Sequence, residues 1–176
     1  MYIWIGCKLP EDFETALRGH CLAANRHIGL STVAFSLPQH ISLKISFDTS
    51  EYKTVLEVLT EYLSAQHSFS VHLNKAEQHG TILWLPADEN STLQRLHKEL
   101  DTLLEHRCGI PQHEFDKSFL FHSTLFIDEN TDKLAAMRHT LRDFPLPRDL
   151  KINTFLLGLS LDGTAGSYRV VRTVEV

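Results

Sequence analysis

The sequence predicts a mixed α/β (α+β) protein with two pseudo-symmetric lobes. Each lobe is expected to be a mainly antiparallel sheet with helices outside, the two facing across a central cleft. Three observations carry this expectation. Strand and helix periodicities alternate along the chain, their order repeats after roughly 80 residues, and one short histidine motif falls on the same strand of both copies.

The first copy opens with a strand over 2–9, where Ile3, Ile5 and Cys7 alternate with Tyr2, Trp4 and Gly6. Pro10-Glu11-Asp12 supplies a helix start, and Phe13, Leu17, Cys21, Ala24 and Ile28 follow at helical spacing. A strand over 40–47 sets Ile41, Leu43, Ile45 and Phe47 on one face. A helix over about 51–66 carries Val55, Leu59, Tyr62 and Leu63, and a strand from Phe69 closes the unit. The second copy repeats this order. Residues 81–85 form its first strand, and Pro86-Ala87-Asp88-Glu89 echoes Leu9-Pro10-Glu11-Asp12. A helix over 89–107 has Leu93, Leu96, Leu100, Leu103 and Leu104 as its stripe. A strand over 119–127, a helix over 131–144 and the strands Lys151 to Leu161 and Tyr168 to Val174 complete the copy. Each copy thus reads β-α-β-α-β. The chain is expected to form one two-lobed domain, 1–176, with approximate repeats 1–79 and 80–176.

Composition narrows the function classes. At 176 residues, 43% hydrophobic and 22% charged, the chain has the balance of an ordinary globular domain that needs no staples. No apolar run approaches membrane-span length, and the first residues read as a strand, so no membrane partner is expected. Cys7, Cys21 and Cys108 are an odd, scattered set, which fits a reducing, cytoplasmic setting. The net charge of −5 argues against duplex nucleic acid, whose binding needs a basic face. It permits a pocket for one phosphate, as in a small nucleotide or an RNA terminus. A monomer is the expected state.

The motifs are His40-Ile41-Ser42-Leu43 and His122-Ser123-Thr124-Leu125. Side chains alternate along a strand, so His40 points with Ser42 and then Lys44, and His122 with Thr124 and then Phe126. Phe121, Leu125 and Ile127 fall on the other face of the second strand. Each strand then rests on a core and presents an imidazole beside a hydroxyl. Cleaving a phosphate ester without a metal needs a base to activate the nucleophile and an acid to protonate the leaving oxygen. Histidine serves both near neutrality. The Ser42 and Thr124 hydroxyls can donate to the non-bridging oxygens as charge builds there. Lys44 can add a positive charge, and His72, on the polar face of the strand beginning at Phe69, can line the cleft.

Other chemistries find little support. His106-Arg107-Cys108 with His113, and His20-Cys21 with His27, lack recognised ligand spacing, and no H-E-x-x-H occurs. No metal or cofactor is therefore expected. His97-Lys98-Glu99 reads as a solvated helix face. Trp4 and Trp84 are expected at equivalent positions of the two copies and read as core packing.

On Pro38-Gln39-His40-Ile41-Ser42-Leu43 and Phe121-His122-Ser123-Thr124-Leu125, the chain resembles the 2H phosphoesterase superfamily. That group includes bacterial 2′-5′ RNA ligase-like proteins and 2′,3′-cyclic phosphodiesterases. The resemblance implies His40 and His122 as the catalytic pair with Ser42 and Thr124 as phosphate ligands. The expected activity opens 2′,3′-cyclic or 2′-5′ phosphodiester bonds, and by microscopic reversibility the same residues can serve ligation. The alternative is a binding protein for RNA ends or nucleotides that keeps the cleft without turnover.

Overall fold

The computed structural model describes all 176 residues. The alternation at the N-terminus makes β1 (Tyr2–Lys8), with Ile3, Ile5 and Cys7 fully inside the core. Pro10 then stands at the N-cap of α1 (Glu11–Ile28), whose first turn carries Glu11, Asp12 and Glu14 against the positive end of the helix. Phe13, Leu17 and Cys21 bury one face, and Gly29, at φ 73°, ends the helix in the left-handed conformation. The second copy repeats this build. Asn90 caps α3 (Ser91–Cys108) through its side-chain oxygen, which accepts from the Thr92 and Leu93 amides, and Gly109 ends the helix at φ 66°.

The remaining elements are β2 (His40–Ser42), β3 (Phe47–Asp48), α2 (Tyr52–Ser64), β4 (Phe69–Val71), β5 (Glu77–His79) and β6 (Ile82–Pro86). After α3 come β7 (His122–Ile127), α4 (Thr131–Thr140), β8 (Leu150–Ile152), β9 (Thr154–Ser160) and β10 (Arg169–Glu175). Every strand pairing is antiparallel. One sheet has the order β10-β9-β1-β2, with β3 continuing beside β1. The other has β5-β6-β7, and the Leu73–Ala87 bridge sets the β4-β8 pair alongside it. β9, late in the chain, pairs with β1, while β5 and β6 form a hairpin through the left-handed Gly80. A single apolar cluster runs through both sheets and all four helices. The β1–β9 pairing brings the two ends of the chain into one sheet.

The structure corrects several local expectations. The strand over 40–47 breaks at Leu43–Ser46, because four residues separate Ser42 from Phe47 while only two separate their partners Gly6 and Ile3. That surplus forms a bend. The strand expected over Lys151 to Leu161 is two strands, β8 and β9, in different sheets. In β7 the register shifts opposite Leu83/Trp84, so Leu125 and Phe126 are both fully buried and Phe126 pairs with Leu83. Phe126 therefore faces the core and Ile127 pairs with Ile82, opposite to the simple alternation. The Pro86-Ala87-Asp88-Glu89 segment does not start a helix. Pro86 ends β6, and Ala87 bonds back to the Phe121 carbonyl before α3 begins at Ser91. α4 tightens into a 3-10 turn over Leu141–Asp143 in place of a helix reaching 144.

Candidate active site

The two histidines are built alike. His40 Nδ1 lies 2.7 Å from the Pro38 carbonyl, and His122 Nδ1 lies 2.7 Å from the Leu120 carbonyl. A carbonyl can only accept, so each Nδ1 carries the proton and donates it two residues back along its own chain. This fixes the tautomer, and in each ring Nε2 is left without a protein partner. The strands that carry them, β2 and β7, lie against one another. Behind the rings, buried Ser123 donates its hydroxyl to the Gln39 side-chain oxygen at 3.0 Å. The residue before one histidine is thereby tied to the residue after the other.

Strand pairing places the hydroxyls. Gly6 pairs with Ser42 and Lys8 with His40 in the first sheet; Trp84 pairs with Thr124 and Pro86 with His122 in the second. Trp84 is thus the counterpart of Gly6, and Trp4 and Trp84 are not equivalent in register. Both indoles nevertheless reach a histidine. Trp4 lies edge-on to His40 at 4.2 Å between ring centroids, and Trp84 lies over His122 at 4.0 Å. Trp4 gets there because Gly6 has no side chain: a Cβ at Gly6 would sit 2.6 Å from the indole and 3.2 Å from the His40 ring. The Trp4 Nε1–H donates to Ser42 Oγ at 3.1 Å, which leaves the serine's own hydrogen free to donate elsewhere. Gly6→Ala is expected to displace Trp4, costing about 1–3 kcal/mol of stability through overpacking. It should also lower kcat more than it changes KM, since the support of His40 moves. Thermal melts and steady-state kinetics test this, and wild-type values for both would refute the supporting role.

Two further expected site residues lie elsewhere. Lys44, in the bend after β2, turns into the interior, where its side chain is 1% exposed. It pairs with Asp101 of α3 and with Asp116 at 2.5 Å. Its ammonium is committed to those carboxylates and does not face the cleft. His72 follows β4, stays exposed and pairs with Asp88 at 3.0 Å, outside the cavity beside His122. His97 is also corrected. It is buried, not solvated, with Nδ1 2.7 Å from the Leu43 carbonyl and Nε2 2.9 Å from the Asp116 carbonyl. Lys44, His97, Asp101 and Asp116 thus clamp the bend after the first motif to the segment before the second. Sequence spacing carries no sign of this clamp, because its members are brought together only by the tertiary fold.

Burial pushes the His40 imidazole down to about 4; the bond to the Pro38 carbonyl partly opposes this, and the nearby His122 adds to it. Burial likewise lowers His122, opposed by the Leu120 carbonyl and reinforced by His79. His79 and Trp84 stack at 4.3 Å, so His79, Trp84 and His122 form a continuous file of rings. Beside His122 opens a cavity of about 350 Å³ whose wall includes Trp84, Phe119 and Phe121 with the carboxylates of Glu77, Asp88 and Glu89. Each free Nε2 can accept a proton or, once its ring is protonated, donate one; His122 lines the cavity, and His40 is not among its lining residues. No three histidine, cysteine, aspartate or glutamate side chains converge so as to hold a metal ion, and no helix is long and apolar enough to cross a membrane.

Two strands that lie against one another, β2 and β7, thus each carry a histidine two residues before a serine or threonine, within antiparallel sheets backed by helices. The profile of the 2′-5′ RNA ligase superfamily matches residues 25–162, and the chain belongs to that superfamily, the 2H phosphoesterases. Solved structures share the fold over nearly the whole length. TT0787 of Thermus thermophilus aligns over 99% of this chain and 97% of its own, with 19% identity and a TM-score of 0.70. E. coli LigT complexed with ATP covers 99% and 97%, with 16% identity and a TM-score of 0.61. LigT complexed with 3′-AMP covers 99% and 96%, with 16% identity and a TM-score of 0.58. No curated protein matches the sequence.

Proposed function

We propose that this chain is a metal-independent phosphodiesterase that opens 2′,3′-cyclic or 2′-5′ phosphodiester bonds at RNA termini or in small nucleotides. The observation that carries the reading is the matched pair of imidazoles, each with Nδ1 bound to its own backbone and Nε2 free. One neutral Nε2 takes a proton from water, which attacks phosphorus. The P–O bond to the ribose breaks on the opposite side, and the other ring, as imidazolium, gives its Nε2 proton to the departing oxygen. Ser42 and Thr124 donate hydrogen bonds to the non-bridging oxygens. Family membership and the 3′-AMP bound by LigT support a nucleotide ligand. The three free cysteines fit a cytoplasmic setting. The test is release of a 2′- or 3′-monophosphate from a 2′,3′-cyclic nucleotide in EDTA. Tight binding without turnover would leave a nucleotide-binding protein in its place.

Two outcomes follow from this chemistry. Thr124→Val keeps the shape and removes the donor, so kcat should fall about ten- to a hundredfold, in the range of one lost transition-state hydrogen bond. An unchanged kcat would remove Thr124 from the phosphate site. The second concerns pH. Both imidazoles are depressed in the free protein, so the form carrying one proton between them is most populated below pH 6.5. The profile of kcat/KM, which reports the free enzyme, should peak on the acid side and fall as pH rises and the imidazolium is lost. A bound phosphodiester brings negative charge and raises both groups, so the kcat profile should lie at higher pH. Coincident profiles peaking above about pH 8 would contradict the assignment.

A further inference from the structure

Where α4 packs beside the edge strand β5 lies a second groove, of about 390 Å³, which shares no lining residue with the cavity beside His122. One wall is Lys75 and Ala76, in the stretch between β4 and β5. The other is the exposed face of α4 and its 3-10 extension, where Ala135, Arg138, His139 and Arg142 recur at helical spacing. Ala135 keeps the groove open between the longer side chains. No carboxylate lines it, and none lies within ion-pair distance of Lys75, Arg138 or Arg142. The Arg142 guanidinium donates to His139 Nδ1 at 3.1 Å, which holds the cation over the groove. A convergence of three cations without a counter-charge stands out in a chain of net charge −5.

Its position relates it to the histidines. Asn74 bonds the Pro86 carbonyl and Glu77 pairs with Trp84, so Lys75 lies level with the Leu85–Pro86 step; Pro86 in turn pairs with His122. Lys75 is therefore two strand spacings from His122, on the order of 10 Å between backbones. The cavity next to His122 carries Glu77, Asp88 and Glu89, which favour an uncharged sugar and base there and repel a second phosphate. A strand whose end reaches the histidines must send its following phosphates to another surface, and the carboxylate-free groove lies beside β5.

We infer that the groove formed by Lys75, Arg138 and Arg142 binds the sugar-phosphate backbone of a single RNA strand whose end occupies the two-histidine cleft, so that oligonucleotide ends are preferred over mononucleotides. The inference rests on the phosphodiesterase reading above. The test compares a 2′,3′-cyclic mononucleotide with a short oligonucleotide ending in a 2′,3′-cyclic phosphate, for wild type and for Arg138→Glu/Arg142→Glu. Both arginines are exposed, so the fold should tolerate the change, and circular dichroism checks it. For the oligonucleotide, KM should rise about tenfold or more and lose roughly one unit of its logarithmic salt dependence, with kcat unchanged. Mononucleotide constants should stay within about twofold, because one phosphate at the cleft does not reach the groove.

Equal effects on both substrates, or no effect on the oligonucleotide, would overturn the inference. If wild type hydrolyses neither substrate, the phosphodiesterase reading fails, and the groove is judged separately by fluorescence anisotropy with a labelled 3′-phosphorylated oligonucleotide. Weaker binding by the charge-reversed protein supports the groove, and equal binding overturns it. Unchanged RNA binding with lost adhesion to phosphatidylserine vesicles would assign the groove to a membrane surface.

Discussion

Replacing His40 or His122 by alanine is expected to lower kcat for a 2′,3′-cyclic nucleotide about a thousandfold, within the range that a positioned proton donor or acceptor contributes. The two single variants should be nearly as impaired as the double variant, because acid and base act in the same displacement. KM should change little, since the hydroxyls of Ser42 and Thr124 remain on their strands. The rings are partly enclosed by Trp4 and Trp84, so alanine leaves small voids, and melting temperatures should be measured alongside the rates. Either single variant retaining wild-type turnover would end the two-histidine mechanism, whatever the superfamily. Asparagine at either position is a useful companion, since it retains polar bulk without a group that titrates near neutrality.

The largest stability effect is expected at Lys44. Lys44→Met would leave the carboxylates of Asp101 and Asp116 buried without their cation. Both are nearly inaccessible, with side-chain exposures of 8% and 0%. Removing one partner of such a cluster typically costs about 3–5 kcal/mol, far more than the cluster adds over an apolar replacement. For a chain of this length that corresponds to a melting temperature lower by about 10 °C. Asp116 also accepts the backbone amides of Ile45 and His113, so its loss would release both the bend and the turn over Glu114–Ser118. Denaturation followed by circular dichroism decides the point. A Lys44→Met protein as stable as wild type would show that the cluster contributes nothing to holding the motifs together.

Much of the fold was legible because periodicity is a local property. Ile3, Ile5 and Cys7 alternate, and Phe13, Leu17 and Cys21 recur at helical spacing, whatever the rest of the chain does. The duplication carries further marks beyond the motifs. α1 and α3 are both 18 residues long, and each ends on a left-handed glycine, Gly29 and Gly109. What local pattern misjudged were the places where an extra residue enters a strand. The two surplus residues between Ser42 and Phe47 break the strand into a bend, and that bend, not a reversed alternation, takes Lys44 from the expected cleft face into the interior. In β7 a single extra residue reverses the alternation and turns Phe126 inward. Period-2 alternation cannot reveal such insertions, because one added residue reverses every later side chain and only the partner strand shows that it has happened.

The histidine segments follow the same division. By itself, the sequence determined which residue types recur together, His40 with Ser42 and His122 with Thr124, and that each pair shares one face of a strand. Pleated geometry links residues i and i+2 without reference to anything distant. The tertiary structure decided the rest. It paired β1 with β9 and bonded Gln39 to Ser123. It brought Trp4 across Gly6 onto His40 while Trp84 reached His122 from a different register, and its partial burial of the two rings pushes both imidazoles down. These are contacts between residues tens of positions apart. They exist only once a shared core fixes the two sheets in place, so nothing in the neighbourhood of either motif could announce them.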